Sequence, residues 1–469
     1  GRLETELAAR GVASLRIMAS DGGSMTAQAA PRLAARTTLS GPAGGVVGAR
    51  AVAQQAGFSH IISFDMGGTS TDVALCADSL PQTSASSVGG MPVRLPSIDI
   101  HTVGAGGGSL ARLDAGGALR VGPQSAGADP GPACYGRGDE PTVTDANLLL
   151  GRLRADAFLG GDMSLDDERA ADALRPLAEQ SGLELPAAAL GVLRVANAAM
   201  ERAIRAISVE RGHDPRDFVL VAFGGAGPLH AAYLAAALGM QRVLVPRYPG
   251  VLSALGMLTA DITRDYVHII GQALDALTPA DLSEQMRSLA RQGWDDLRRD
   301  AGSDLPLHAV FALDLRYVGQ SHELSTPLAE WSQPDATLEE ADLREAAARF
   351  HQLHEQQSGH AMPEHPIEVV SLRLKMIGAT GLHTDLEQPP SAEAPTPTEP
   401  PAPRATVQAT LAAEDTTPQP TALYERGALA VGQQFAGPAI IVQLDTTTVV
   451  PPGWQARVEP SGHLLLTTA

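Results

Sequence analysis

The sequence predicts an α/β protein built on a strand, glycine turn, helix and strand, followed by an α+β region and a small C-terminal β domain. Three observations predict it. The apolar run Phe218 to Phe223 enters a turn at Gly224 to Gly227, a helix to about Leu238 and a short strand from Arg242 to Pro246, which together make a βαβ unit. Upstream, the β-rich run His60 to Phe64 and the run Asp72 to Leu75 flank a Gly/Thr/Ser turn, a hairpin signal. Hydrophobic residues fill 44% of the 469 positions and aromatics only 4%, so aliphatic side chains and alanine must form the core.

The elements follow in order. Leu3 to Leu15 reads as the end of a helix leading into a strand, and the chain opens at Gly1, so it is expected to start inside a domain. Residues 1–270 are dense in glycine-marked turns and read as one domain. Within it, Leu190 to Val209 is an amphipathic helix, because Val192, Val195, Ala199, Ala203 and Ile207 recur at helical spacing. Gly212 stands where a helix ends. Pro228 suits the first turn of the helix that Gly239 closes. Residues 271–385 read as an α+β domain, with helices at Ser283 to Arg299 and Leu338 to His354 and strands at His308 to Val318 and Glu368 to Ile377. Residues 386–421 are rich in Pro, Thr, Glu and Ala and read as a mobile linker. Residues 422–469 carry the β runs Ala439 to Val442, Thr447 to Val450 and His463 to Thr467, the expected β cap.

The formal net charge of -19 argues against a nucleic-acid partner, which needs a basic stripe. Small anionic ligands stay open, since a glycine-rich loop holds phosphate through backbone N–H groups. Two cysteines, Cys76 and Cys134, make neither a disulfide scaffold nor a Cys-x-x-Cys metal pattern. No apolar run approaches the ~18–20 residues of a membrane span, and no signal segment opens the chain. The expected setting is the cytoplasm, without a membrane partner.

Two motifs carry chemistry. The first is Phe64-Asp65-Met66-Gly67-Gly68-Thr69-Ser70-Thr71-Asp72. Gly67 and Gly68 at a hairpin tip let backbone amides approach phosphate oxygens, and Thr69 and Thr71 add hydroxyl donors. Asp65 and Asp72 are hard oxygen ligands for Mg²⁺. An ordinary tight hairpin would also use Asp and Thr as turn formers, and spacing alone does not separate the readings. The second is Phe223-Gly224-Gly225-Ala226-Gly227-Pro228 between strand and helix, where bare backbone and a helix N-terminus can face a nucleotide. Alone, it is equally a plain βα turn.

Taken together, the two motifs resemble the second phosphate loop and the adenosine loop of the actin, sugar-kinase and chaperone-ATPase (ribonuclease H-like) superfamily. Further strings narrow the resemblance: Ser40-Gly41-Pro42-Ala43-Gly44-Gly45-Val46, Asp99-Ile100-His101-Thr102-Val103-Gly104 to Ser109, Gly131-Pro132-Ala133-Cys134-Tyr135-Gly136, Pro141-Thr142-Val143-Thr144-Asp145-Ala146-Asn147, Arg316-Tyr317-Val318-Gly319-Gln320 and Gly437-Pro438-Ala439-Ile440-Ile441. In this order they resemble the hydantoinase A/5-oxoprolinase family over nearly the whole chain.

The resemblance implies ATP and Mg²⁺ as cofactors and a small cyclic amide as substrate. It also implies a second, B-type subunit and an oligomeric assembly. The reaction would be ATP-driven opening of a hydantoin or 5-oxoproline ring, with carboxylation of a ketone as the alternative. Asp65 and Asp72 would serve the metal and water, Gly67, Gly68, Thr69 and Thr71 the phosphates, and Gly224, Gly225, Ala226 and Gly227 the adenosine. The family's first Asp-x-Gly-Gly-Thr hairpin is not found; the nearest string, Asp114-Ala115-Gly116-Gly117, lies in an expected Leu113-to-Leu119 hairpin turn. The first half-domain is therefore expected to be absent from this chain. ATP binding by the chain alone would then be weak, and a non-catalytic assembly or fragment role becomes the third reading.

Asp99 and His101 are two apart, so a strand would place them on one face. His101 is a candidate base or metal ligand, with Asp145 or His230 beside it; a hydrogen-bonded Asp–His pair of structural purpose is the other reading. Cys134 reads as a small buried residue rather than a nucleophile. Arg316 and Gln320 face either a ligand or a strand-end salt bridge.

Overall fold

The structure, a computed structural model, describes residues 2–12, 15–77, 79–83, 86–88, 91–93, 95–301, 305–380 and 400–469. The chain divides into two compact units that interleave in sequence. One comprises Gly1–Ser40 and Thr259–His383, the other Gly41–Leu258 and Thr384–Ala469.

The first unit is a six-stranded sheet. Ile262–Ala273, Ile367–Gly378, Leu307–Tyr317 and Leu324–Trp331 lie side by side, antiparallel, and Ser24–Thr26 joins through Ile262. Helices Pro279–Ala301 and Glu340–Ser358 cover it and bury Met286, Trp294 and Phe350 against Phe311, Leu313, Leu372 and Leu374.

The second unit holds an eight-stranded sheet. Val219–Phe223 lies at its centre, parallel to His60–Met66 on one side and to Arg242–Val245 on the other. All five residues of Val219–Phe223 are buried, as expected for a parallel strand covered on both faces. His60–Met66 turns back antiparallel into Thr71–Ala77, which pairs with His101–Val103. Helices Leu185–Ile207 and Gly227–Leu238 pack here; Gly239, in the left-handed conformation at φ 72°, closes the second. A four-stranded sheet contains Ala405–Ala409, Gln419–Glu425, Ala439–Val442 and Thr447–Val450.

The compact units change over at 40/41, 258/259 and 383/384, so the boundary expected at 385 falls within two residues of one of these, while those expected at 270 and 421 coincide with none. The early strand Ser24–Thr26 pairs with Ile262 of the first unit. The C-terminal strand Leu464–Thr468 pairs antiparallel with Arg242–Val245, and Gln434–Ala436 and Trp454–Val458 extend the same sheet, while Ala439–Val442 and Thr447–Val450 lie in the four-stranded sheet, so residues 422–469 are divided between two sheets rather than forming one separate cap. Of the expected linker, residues 386–399 lie outside the described residues. Ala405–Ala409 and Gln419–Glu425 form a regular antiparallel pair instead of a mobile connection. Leu466 is 0% exposed and sits between Val243 and Ala456. Leu466→Ala is expected to cost the second unit about 2–5 kcal/mol, read as a lower unfolding midpoint. An unchanged midpoint would mean the C-terminal strands are dispensable to that unit.

One helix runs against propensity. Ser40–Gln55 carries four glycines yet is a continuous α-helix. A Cβ on Gly44 would stand 2.8 Å from the Ser253 carbonyl, and one on Gly48 2.6 Å from that of Leu252. Helix Leu252–Thr259 presses this closely only because side chains are missing, so packing overrides the cost of glycine.

Candidate functional site

The parallel register sets the site. Phe223 pairs with Asp65, so the turn after one strand and the hairpin after the other emerge side by side at the same sheet edge. Ligands in open α/β sheets gather at such carboxyl ends. Gly224 has φ 78°, and a Cβ on it would lie 2.4 Å from both Asp65 Oδ1 and the Met66 carbonyl oxygen, so conformation and packing both require glycine there. The Ala226 amide donates to Met66 O at 3.0 Å and ties the two turns together.

The hairpin tip is held through its carbonyls. Gly107 N–H donates to Gly67 O at 2.9 Å and Gly108 N–H to Gly68 O at 2.7 Å. A Cβ on Gly106 would stand 2.7 Å from Thr69 N, which explains glycine in that clamping loop. The tip carbonyls are thus taken, while among the described residues the amides of Gly68 and Thr69 have no acceptor. Nothing lies within 4 Å of a Cβ built on Gly67 or Gly68, and neither residue is left-handed. Among the described residues, neither packing nor backbone conformation calls for glycine at these two positions.

Asp65 and Asp72 stand directly opposite each other across the hairpin. Burial, then the charge of Asp72, pushes the Asp65 carboxyl up to about 6, and a hydrogen bond from the Ser253 hydroxyl partly offsets this. Burial also raises Asp72, against a hydrogen bond from Thr102. No cation contributes to either shift.

A cavity of about 200 Å³ opens beside the tip. Gly67, Gly68, Gly107, Thr144, Gly225 and Ala226 give it a backbone-rich end, next to helix Gly227–Leu238, whose N-terminus has no side-chain cap. Tyr135, Phe158, Leu159 and Leu444 give it an apolar end, with the Tyr135 and Phe158 rings 5.5 Å apart. The C-terminal hairpin tip, Gln443 to Thr447, makes one wall, and Thr446 Oγ1 donates to Gly225 O at 3.0 Å. An anion would be stabilised at the first end, by free amides and the helix dipole, and a flat apolar ring at the second.

Sequence-predicted residues meet this site unequally. Gly67, Gly68, Gly225 and Ala226 line the cavity, and Thr69 is exposed at the tip. Thr71 is corrected: it is 0% exposed and its hydroxyl donates to Ala105 O at 2.6 Å, so it serves the fold and not a phosphate. Gly227 is the first residue of the helix and packs against Phe64. His101 is exposed on a strand that does not include Asp99 and does not line the cavity. Asp99 is ion-paired with Arg211. Asp145 caps helix Val143–Leu149 through Thr142 and accepts from the Cys134 amide at 2.8 Å. His230 is buried, with Nδ1 at 2.7 Å from Asn197 Oδ1, and burial lowers it to about 3, which keeps it neutral. The expected His101 cluster therefore does not assemble. Cys134 is buried, and burial with the Asp145 charge raises its thiol far above the reactive range. Arg316 pairs with Glu368 at 2.8 Å, and Gln320 Nε2 lies 3.3 Å from His354 Nε2.

Sequence reasoning missed Phe158, Leu159, Gln443 and Leu444 as site residues; no spacing signal marks them. Tyr135 stood inside a quoted motif without an assigned role.

Residues 1–266 match the hydantoinase/oxoprolinase family and residues 274–467 the hydantoinase/oxoprolinase C-terminal domain. Caprolactamase subunit alpha of Pseudomonas jessenii is 37% identical over 460 residues, covering 96% of this chain and 64% of the relative. The 5-oxoprolinase 1 of Arabidopsis thaliana is 34% identical over 479 residues, covering 97% and 36%. The crystal structure of ATP-dependent caprolactamase from Pseudomonas jessenii superposes with a TM-score of 0.84 at 35% identity, over 100% of this chain and 68% of that one. A nucleotide-free acetone carboxylase structure superposes with a TM-score of 0.77 at 27% identity, over 100% and 66%. The chain thus spans 64% of the length of caprolactamase subunit alpha and 36% of the length of 5-oxoprolinase 1.

Proposed function

The chain belongs to the hydantoinase/oxoprolinase family, and from that premise we propose that it is the nucleotide-handling part of an ATP-dependent cyclic-amide hydrolase. The observation that carries the reading is the hairpin tip. Among the described residues nothing calls for glycine at Gly67 and Gly68, which stand beside unpartnered amides and a carboxylate pair that no described cation acts on. A phosphate chain lying against the backbone would explain all three features.

The proposed fold is the ribonuclease H-like ATPase fold. Phosphates lie along Gly67, Gly68 and Thr69, and the nucleoside lies along Gly224 to Gly227 and the apolar end. Asp65 and Asp72 fit Mg²⁺. Among the described residues no cluster of three or more His, Cys, Asp or Glu could hold a metal. Two carboxylates completed by phosphate oxygens and water are, however, the usual Mg²⁺ arrangement. Bound there, the metal would neutralise charge on the transferring phosphoryl group.

An amide oxygen is a poor leaving group. Its attack on the γ-phosphorus of ATP, with ADP departing, converts it into a phosphate ester. Water then adds at the ring carbon, the C–N bond opens as the nitrogen takes a proton, and a second water hydrolyses the resulting acyl phosphate to carboxylate and phosphate. The chain's contribution is to hold the nucleotide in line and to place the two carboxylates beside it, where a bound cation would favour their charged form. Relatives named as caprolactamase subunit alpha and acetone carboxylase beta subunit support a second subunit.

The likeness to acetone carboxylase supports the alternative of ketone carboxylation. The test is ATP hydrolysis by the chain assembled with its second subunit. Stimulation by lactams, hydantoins or 5-oxoproline without bicarbonate is expected. Stimulation only by ketones with bicarbonate would move the assignment to the carboxylase, and no stimulation by either would reject catalysis.

A further inference from the structure

We infer that Thr102 is a positioning residue: its hydroxyl holds one oxygen of Asp72 and leaves the other for a cation shared with Asp65. This inference rests on the reading of Asp65 and Asp72 as the carboxylates that serve Mg²⁺.

Strand register brings the three residues together. Asp65 pairs with Asp72 across the hairpin, and Asp72 pairs with Thr102 of the next strand. Residues directly opposite one another in a sheet carry their side chains on the same face. Asp65, Asp72 and Thr102 therefore form one row across three neighbouring strands, with Asp72 in the middle. Thr102 Oγ1 donates to Asp72 Oδ1 at 2.5 Å. Oδ2 has no donor among the described residues, and Asp72 is half-buried rather than enclosed. The oxygen committed to Thr102 is held on the far side of Asp72 from Asp65, so the uncommitted one is left to the Asp65 side.

The chemistry of the partner matters. A lysine or arginine beside Asp72 would also fix it, but its charge would take the place of a cation. A hydroxyl orients the carboxylate and leaves the charge available. Thr102 is exposed, and strand propensity alone would accept valine there equally well, so the hydroxyl is the feature that needs a reason. The same string of sequence supplies the clamp on the hairpin tip, through Gly107 and Gly108. It thus holds the hairpin twice, by backbone at the tip and by Thr102 at the carboxylate behind it. His101, one residue earlier, pairs with Val73 and falls on the opposite face, which is why it stays out of this row.

The experiment is a calorimetric titration of the full chain with ATP, once in Mg²⁺ and once in a chelator, for the native chain, Thr102→Val, Thr102→Ser and Asp72→Asn. The readout is the ratio of the two affinities, which is the gain due to the metal. Thr102→Val keeps the branched, strand-forming shape and loses the hydroxyl, whereas Thr102→Ser does the opposite. Thr102→Val is expected to lower the ratio about tenfold, and Thr102→Ser to hold it within about twofold of the native value. A role confined to strand packing would give the reverse order, or equal effects in the two variants, and would overturn the inference. An unchanged ratio in Thr102→Val, with a lowered one in Asp72→Asn, overturns the inference and leaves the metal reading standing. An unchanged ratio in Asp72→Asn, or no ATP binding by the native chain, overturns the metal reading and this inference with it.

Discussion

Replacing Asp65 by Asn is expected to lower ATP turnover in the assembled enzyme at least a hundredfold while making the second unit harder to unfold at pH 7. The two effects have one cause. Asp65 faces Asp72 across the hairpin in a largely buried setting, with no cation among the groups that act on it. A carboxylate kept there without a counter-charge is costly to the fold, and its worth must lie in what it binds. Asn keeps the shape but loses the charge that attracts a divalent cation, and a hundredfold corresponds to roughly 3 kcal/mol of transition-state stabilisation.

The stability half has a definite sign. The Asp65 carboxyl is raised from 3.8 to about 6, so the folded state prefers the protonated form. Its favourable contribution is fully present below pH 4 and is lost as the pH rises through 6. At pH 7 the charged form costs the fold about 2 to 3 kcal/mol, which Asn removes. The denaturant midpoint of Asp65→Asn should exceed that of the native chain at pH 7, and the gap should close by pH 4. Turnover that survives the substitution would remove Asp65 from the metal and water role. An equal or lower midpoint at pH 7 would mean that the carboxylate is already compensated.

Much of the second unit could be read in advance because its signals are local. The βαβ unit from Phe218 to Pro246 announces itself by an apolar run, a glycine turn and a glycine-closed helix, and its structured counterparts fall within a residue or two. The hairpin around Gly67 and Gly68 was legible for the same reason. What escaped depends on contacts distant in sequence. Four glycines give helix Ser40–Gln55 no helical signal of its own, and its form becomes intelligible only when helix Leu252–Thr259 is laid against it. The C-terminal strands read as a separate cap because nothing in Leu464–Thr468 says that its partner is Arg242–Val245. Thr71 and Thr69 flank the same tip, yet pairing with the sheet buries one and leaves the other exposed. The apolar wall formed by Tyr135, Phe158 and Leu444 is assembled from three separate segments, so no window of sequence contains it.

Gly68→Val should abolish nucleotide binding without loosening the fold, whereas Gly106→Val should do the reverse. Both glycines belong to the same pair of touching loops, but space around them differs. A Cβ on Gly68 meets nothing within 4 Å, and its φ is outside the left-handed region. Valine there adds a branched side chain to the cavity wall and changes no internal contact, so stability should stay within about 0.5 kcal/mol. If the phosphates lie against that backbone, the new methyl groups hold them off the free amides of Gly68 and Thr69, and affinity should fall by at least about thirtyfold, roughly 2 kcal/mol. A Cβ on Gly106 lies 2.7 Å from the Gly68 carbonyl carbon and from Thr69 N, both backbone atoms that cannot rotate away. Valine there must push the clamp off the hairpin, at a cost of about 1–3 kcal/mol or more. Thermal unfolding and nucleotide titration on the two variants separate the cases. Normal nucleotide affinity in Gly68→Val, with the fold intact, would leave that glycine unexplained by any bound phosphate and would withdraw the observation on which the proposed function stands.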